Sequence, residues 1–126
     1  MTTPKTLSVL GTEYTIERKK YKDDPELADH SIDGYCDPLL HKIVLCNIST
    51  LPGWEKEPPE KIHMAEQAPL RHEIVHAFLD EAGLMESSLH PQCGWAVNEE
   101  MVDWIALVGP RIFKAWYEAG ALTSFD

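Results

Sequence analysis

The chain has 126 residues, of which 44% are hydrophobic and 25% are charged, with 11 Lys and Arg against 21 Asp and Glu and a formal net charge of −10. This length suffices for one domain with a hydrophobic core and is too short for a second domain. The acidic balance argues against direct nucleic-acid binding, which needs a basic surface to neutralise phosphates.

The first third of the chain predicts two β-hairpins. Residues 5–17 alternate polar and apolar side chains around Gly11-Thr12, a pattern typical of a hairpin with one solvated face. A second pair of strands is predicted over residues 31–37 and 41–47, where β-branched and aromatic residues lie between turn-forming ones. We expect the two hairpins to form a small antiparallel sheet.

The rest of the chain predicts helices. A periodic run over residues 69–82 is followed by Gly83, a residue that commonly ends helices. A second helix is predicted over residues 96–108, ended by Gly109-Pro110, and a third over residues 111–119. The predicted fold class is therefore α+β, with an antiparallel sheet followed by three or more helices in a single domain, residues 1–126.

Cysteines and tryptophans give weaker indications. Cys36, Cys46 and Cys93 form no CxxC pair, which argues against a disulfide framework and favours reduced thiols. The sequence shows no apolar run typical of a signal peptide or a membrane span, so we expect a cytoplasmic protein. Tryptophans at such positions more often lie in a core than on a surface, and this expectation applies to Trp95, Trp104 and Trp116.

The most informative motif is His72-Glu73-Ile74-Val75-His76, an H-E-x-x-H on the first long predicted helix. Histidines at i and i+4 lie one above the other on a helix, so both imidazoles can bind one Zn²⁺. Glu73 points to the side where a metal-bound water would lie, as a general base requires. Two histidines at the edge of a core are the simpler alternative, and the pattern also arises by chance.

A zinc enzyme of this kind needs a third protein ligand. The best candidate segment is residues 98–103, because a carboxylate there could face the first helix while Asp103 accepts the other ring N–H of a ligating histidine. Glu99 and Glu100 differ by about 100° in direction on a helix, so the choice between them depends on a rotation that the sequence leaves open. His90 and Cys93 have metal-compatible side chains in a predicted loop, and His90 is the next candidate.

Together, His72-Glu73-x-x-His76 and Asn98-Glu99-x-x-x-Asp103 resemble the pattern of gluzincin metallopeptidases. The short chain and the strands before the helix resemble most the ImmA/IrrE-type and small phage-encoded metallopeptidases, over roughly residues 32–106. The resemblance implies a minimal zincin-like fold in which His72, His76 and Glu99 hold zinc.

The expected activity is zinc-dependent hydrolysis of a peptide or protein substrate, with Glu73 as the general base that activates water. The strand over residues 41–47 could present an edge to which an extended peptide adds. Two alternatives remain: a catalytically inactive zinc-binding interaction module, and an acidic inhibitor of phage or plasmid type that mimics DNA. The sequence identifies neither an oxyanion-stabilising residue nor an oligomeric state.

Overall fold

A computed structural model describes residues 5–30, 33–85, 88 and 94–123. Its helices and strands form an α+β fold, as predicted. In chain order the elements are β1 (Lys5–Val9), β2 (Thr12–Lys19), α1 (Pro25–His30), β3 (Gly34–Asp37), β4 (Lys42–Cys46), α2 (Pro59–Glu81) and α3 (Glu99–Glu118). Helix α1 lies between the two hairpins, in the charged segment over residues 19–30, whose sequence is compatible with either a loop or a short helix.

The four strands form one sheet in the order β1-β2-β4-β3. Both predicted hairpins are confirmed, since β1 pairs antiparallel with β2 and β3 pairs antiparallel with β4. The first hairpin turns at Leu10 and Gly11, and both residues have positive φ. A two-residue turn needs this conformation to follow the twist of its two strands.

The sheet is mixed because β2 and β4 pair in parallel. Residues 43–46 of β4 are all buried, and a strand that is apolar on both faces is stable in the middle of a sheet. The predicted free edge over residues 41–47 is therefore wrong, because β4 is paired on both sides. The edge strands are β1 and β3.

The core has two parts, one on each face of the sheet. Side chains alternate along a strand, so Ile43 and Leu45 of β4 face α2 while Val44 and Cys46 face α1. The cluster on the α2 side is Val9, Tyr14, Ile16, Ile43, Leu45 and Ala77, and the cluster on the α1 side is Leu27, Val44 and Cys46.

Helix α2 begins ten residues before its predicted start. Pro59 lies at the start of the helix, where its missing N–H costs nothing, and Pro69 lies inside the helix. The prediction took Pro69 as the start because an interior proline removes one helical hydrogen bond. The predicted end is confirmed: Gly83 has a φ of 82° just after the helix.

Helix α3 runs without a break through Gly109 and Pro110, so the predicted division into two helices is wrong. Pro110 has no N–H to donate to the carbonyl of Ala106, four residues earlier. Instead, Arg71 Nε of α2 donates to this carbonyl at 2.6 Å. The hydrogen bond from Arg71 compensates for the proline and joins the two long helices.

The tryptophan prediction is also wrong. The side chains of Trp95, Trp104 and Trp116 are 63%, 55% and 49% exposed. Only one face of α3, with Val102 and Ala106, is buried. No helix among the described residues is long and apolar enough to cross a membrane.

We predict that Arg71→Met lowers the free energy of unfolding by about 1–3 kcal/mol, the cost of leaving a buried acceptor unpaired. Methionine keeps most of the apolar stem but donates no hydrogen bond. Pro110→Ala should recover most of this loss, because an alanine at that position would supply the missing helical N–H. Urea unfolding of the four members of this double-mutant cycle measures the coupling. If Arg71→Met lowers the free energy of unfolding equally with proline and with alanine at position 110, this account is wrong.

Candidate metal centre

The H-E-x-x-H motif lies near the middle of α2, whose rotation is set by the sheet. Ala77 is fully buried against the core of the sheet, which directs that face of α2 towards the strands. Glu73, one turn earlier, is buried on the same side. His72 and His76 lie beside this face, towards α3.

Three side chains converge between α2 and α3. The Nε2 atoms of His72 and His76 are 3.1 Å apart. The carboxylate of Glu99, the first residue of α3, bridges them, with one oxygen 3.0 Å from His72 Nε2 and the other 2.9 Å from His76 Nε2.

The other nitrogen of each imidazole is held by a separate group. Asp103 Oδ1 lies 2.7 Å from His72 Nδ1, and the Ala96 carbonyl lies 2.5 Å from His76 Nδ1. A carbonyl oxygen only accepts hydrogen bonds, so His76 Nδ1 must carry the hydrogen. This leaves the Nε2 lone pair of His76 directed at the centre of the site.

Glu73 is the remaining member of the group and lies on the side of α2 that faces the sheet. Its carboxylate lies within 4.8 Å of the ligand atoms of His72 and His76, and the residue is only 6% exposed. Burial raises the pKa of Glu73 to about 7, and the carboxylates of Glu99 and Asp103 add to the increase while His76 opposes it. A carboxyl with this pKa can accept and release a proton near neutral pH.

These atoms fit a metal ion. Two imidazole nitrogens and one carboxylate oxygen are a donor set that Zn²⁺ accepts in catalytic sites. In a tetrahedral site with bonds of about 2.0–2.1 Å, ligand atoms lie about 3.4 Å apart, close to the separations of 2.9–3.1 Å found here. Glu73 is also close enough to be a ligand. However, Glu99 contacts both histidines, whereas Glu73 lies on the side of α2 that faces the sheet.

A cavity of about 1010 Å³ opens onto this group. It lies between edge strand β3, helix α2 and the start of α3, and its wall includes Tyr35, Cys36, Glu73, His76 and Glu99. Gly34 lets β3 approach closely, because a Cβ there would meet the Val44 carbonyl at 2.8 Å and Glu73 Cγ at 3.6 Å. The candidate centre is thus accessible from one side and supported by the sheet on the other.

The structure brings together His72, Glu73, His76, Glu99 and Asp103 as the sequence suggested. Both glutamates are exposed, and Glu99 is the one whose carboxylate contacts the two histidines. His90 and Cys93 lie outside the described residues.

Sequence reasoning missed two contributors to the site. The Ala96 carbonyl holds His76, but a backbone group leaves no signal in a residue pattern. Asp80 also lines the cavity, and its place one turn after His76 on the polar side of the helix was a usable signal.

Comparison of the chain with family models, with curated proteins and with solved structures finds no match. The geometry of the site is therefore the basis for assigning a function.

We predict that Gly94→Ala disturbs the segment that carries the Ala96 carbonyl. An added Cβ would lie 2.3 Å and 2.6 Å from the backbone oxygens of Leu84 and Met85, which cannot move cheaply. The expected loss is about 1–3 kcal/mol in the free energy of unfolding, with a shifted ¹⁵N resonance of His76 Nδ1.

Gly109→Ala is the matched control, since no atom outside the adjacent residues lies within 4 Å of a Cβ there. Stability should change by less than about 1 kcal/mol, because the helical preference for alanine is opposed by the contact of its Cβ with Pro110. A Gly94→Ala protein as stable as the unaltered chain, with an unchanged His76 signal, would show that the close approach is not required.

Proposed function

We propose that this chain is a zinc-dependent metalloendopeptidase in which His72, His76 and Glu99 hold the metal and Glu73 is the general base. One observation carries the proposal: two imidazole nitrogens and a carboxylate meet within 3.1 Å of one another, beside a buried glutamate and at the wall of an open cavity. The likeness of both motifs to the gluzincin pattern supports the same assignment.

The chemistry divides between the metal and the chain. A bound zinc ion would supply an electrophile that polarises the substrate carbonyl and lowers the pKa of a coordinated water towards about 7. Glu73 takes the proton from the attacking water and delivers it to the leaving amine. Asp103 and the Ala96 carbonyl keep the imidazoles in place during these transfers.

A peptide or protein substrate suits the shape of the site. Strand β3 lies at the edge of the sheet and also lines the cavity. An extended peptide that adds to this edge through main-chain hydrogen bonds would run along the cavity. The edge suggested by the sequence was the neighbouring strand β4, which is covered.

The geometry favours an enzyme over an inactive zinc-binding module. Structural zinc sites usually have four protein ligands and are closed, whereas catalytic sites have three and keep one position open. Here three side chains converge at a cavity, and a buried carboxylate lies beside them.

We also propose a cytoplasmic location, because Cys36 and Cys46 are free.

We predict that the metal-free chain binds one zinc ion, with an affinity that ranks the acidic residues of α3. Glu99→Ala removes a ligand and should have the largest effect. Asp103→Ala should weaken binding by about 10–100-fold, the usual effect of losing a hydrogen bond to a ligating histidine. Glu100→Ala is the matched control and should leave the affinity unchanged.

Zinc titration by calorimetry or with a competing chromophoric chelator measures all three variants. The largest loss in Glu100→Ala would refute Glu99 as the ligand. Equal small losses in the three variants would place the third ligand elsewhere.

We predict that Glu73→Gln keeps the fold and the bound zinc but lowers hydrolysis by about 10²–10⁴-fold, because glutamine cannot accept the proton. Zinc content and the cleavage rate of a mixed-sequence library of quenched fluorescent peptides provide the two measurements. Loss of zinc in this variant would make Glu73 a ligand and would refute the mechanism. Absence of hydrolysis in the unaltered, zinc-loaded chain would refute the enzyme.

A further inference from the structure

No hydrogen bond or ion pair among the described residues accounts for the position of Asp80. It lies on α2 one turn after His76 and lines the same cavity. Its Oδ1 atom is buried and has no hydrogen-bond partner among the described residues. A buried carboxylate oxygen without a partner is costly, so the position calls for an explanation.

Asp80 does not orient the nearest histidine. His76 Nδ1 is bound to the Ala96 carbonyl, and its Nε2 faces His72 and Glu99. Both imidazole nitrogens of His76 are therefore occupied without Asp80.

Asp80 does not join the helix to the sheet either. The neighbouring Glu81 performs that role, accepting hydrogen bonds from Tyr14 Oη at 2.7 Å and Thr12 Oγ1 at 3.0 Å. Asp80 is left with a carboxylate at the wall of the cavity, with one oxygen buried and without a hydrogen-bond partner among the described residues.

The cavity as a whole favours a cation. Five carboxylates line it and no Lys or Arg does; the five are Asp33, Glu73, Asp80, Glu99 and Asp103. All 11 Lys and Arg residues of the chain lie among the described residues. Arg71, the nearest of them along α2, donates to the Ala106 carbonyl.

We propose that Asp80 is a specificity-determining residue that binds the ammonium or guanidinium group of a Lys or Arg side chain of the substrate. This role rests on the proposed function, because the chain has a substrate only if it is an enzyme. Seven residues separate Glu73 from Asp80, about 10 Å along the helix. A long cationic side chain covers most of this distance and the Asp80 side chain can cover the rest, whereas the α-amine of the residue being cleaved does not reach so far.

The test uses small probes that are not hydrolysed, on the metal-free chain in the presence of chelator. Nα-acetyl-lysine methylamide carries the side-chain cation, Nα-acetyl-norleucine methylamide is its neutral analogue, and alaninamide carries only an α-ammonium. Backbone ¹H–¹⁵N shifts report both affinity and location. The lysine probe should bind about tenfold more tightly than the norleucine probe, as expected for a charge-assisted hydrogen bond.

Asp80→Asn should bring the two acetylated probes to within about twofold of each other. Asp33→Asn, which removes the same charge from the other part of the cavity wall, is the matched control and should keep most of the preference. Comparison of the probes on the unaltered chain needs no variant, so the proposal stays testable even if Asp80→Asn does not fold.

Three results would overturn the proposal: equal binding of the lysine and norleucine probes, equal losses in the Asp80 and Asp33 variants, or tighter binding of alaninamide at Asp80. The last result would assign the site to a peptide N-terminus.

These binding results are independent of the proposed peptidase activity. A lysine preference without any hydrolysis by the zinc-loaded chain would leave the cation site standing and refute the enzyme. Hydrolysis that shows no preference for basic peptides, together with equal probe binding, would support the enzyme and refute the cation site.

Discussion

The packing of α2 against the sheet is the constraint on which the rest of the site depends. Ala77 is buried where α2 crosses the strands, and this contact fixes the rotation of the helix. Because residues four apart share a face, the same rotation buries Glu73 and turns His72 and His76 towards α3. Helix α3 then needs only to begin at Glu99 for its carboxylate to meet both imidazoles.

The site brings three carboxylates close together, of which only that of Glu73 is buried. Glu73 lies beneath the histidines, and the carboxylates of Glu99 and Asp103 lie beside them. Burial raises the pKa of Glu73, and the carboxylates of Glu99 and Asp103 add to the increase. A cation bound between these groups would favour their charged forms.

The sequence was most informative where an interaction is local along the chain. The spacing of His72 and His76 fixes their common face, and the alternation of side chains predicts both hairpins. The first turn lies at Leu10 and Gly11, one residue before its predicted place at Gly11-Thr12. Contacts between distant segments were beyond its reach, such as the parallel pairing of β2 with β4 and the choice of Glu99 over Glu100. The exposed tryptophans also depend on tertiary structure, since only one side of α3 is covered.

The hydrogen bond between Arg71 and the Ala106 carbonyl has an evolutionary consequence. Arginine at position 71 is useful only while position 110 is a proline, because any other residue would supply the helical N–H itself. The two positions are 39 residues apart and lie on different helices, yet the arginine compensates for the hydrogen bond that the proline removes. In divergent descendants of this chain, we expect the pair to be kept or lost together, so that covariation at these positions would record the docking of α2 on α3.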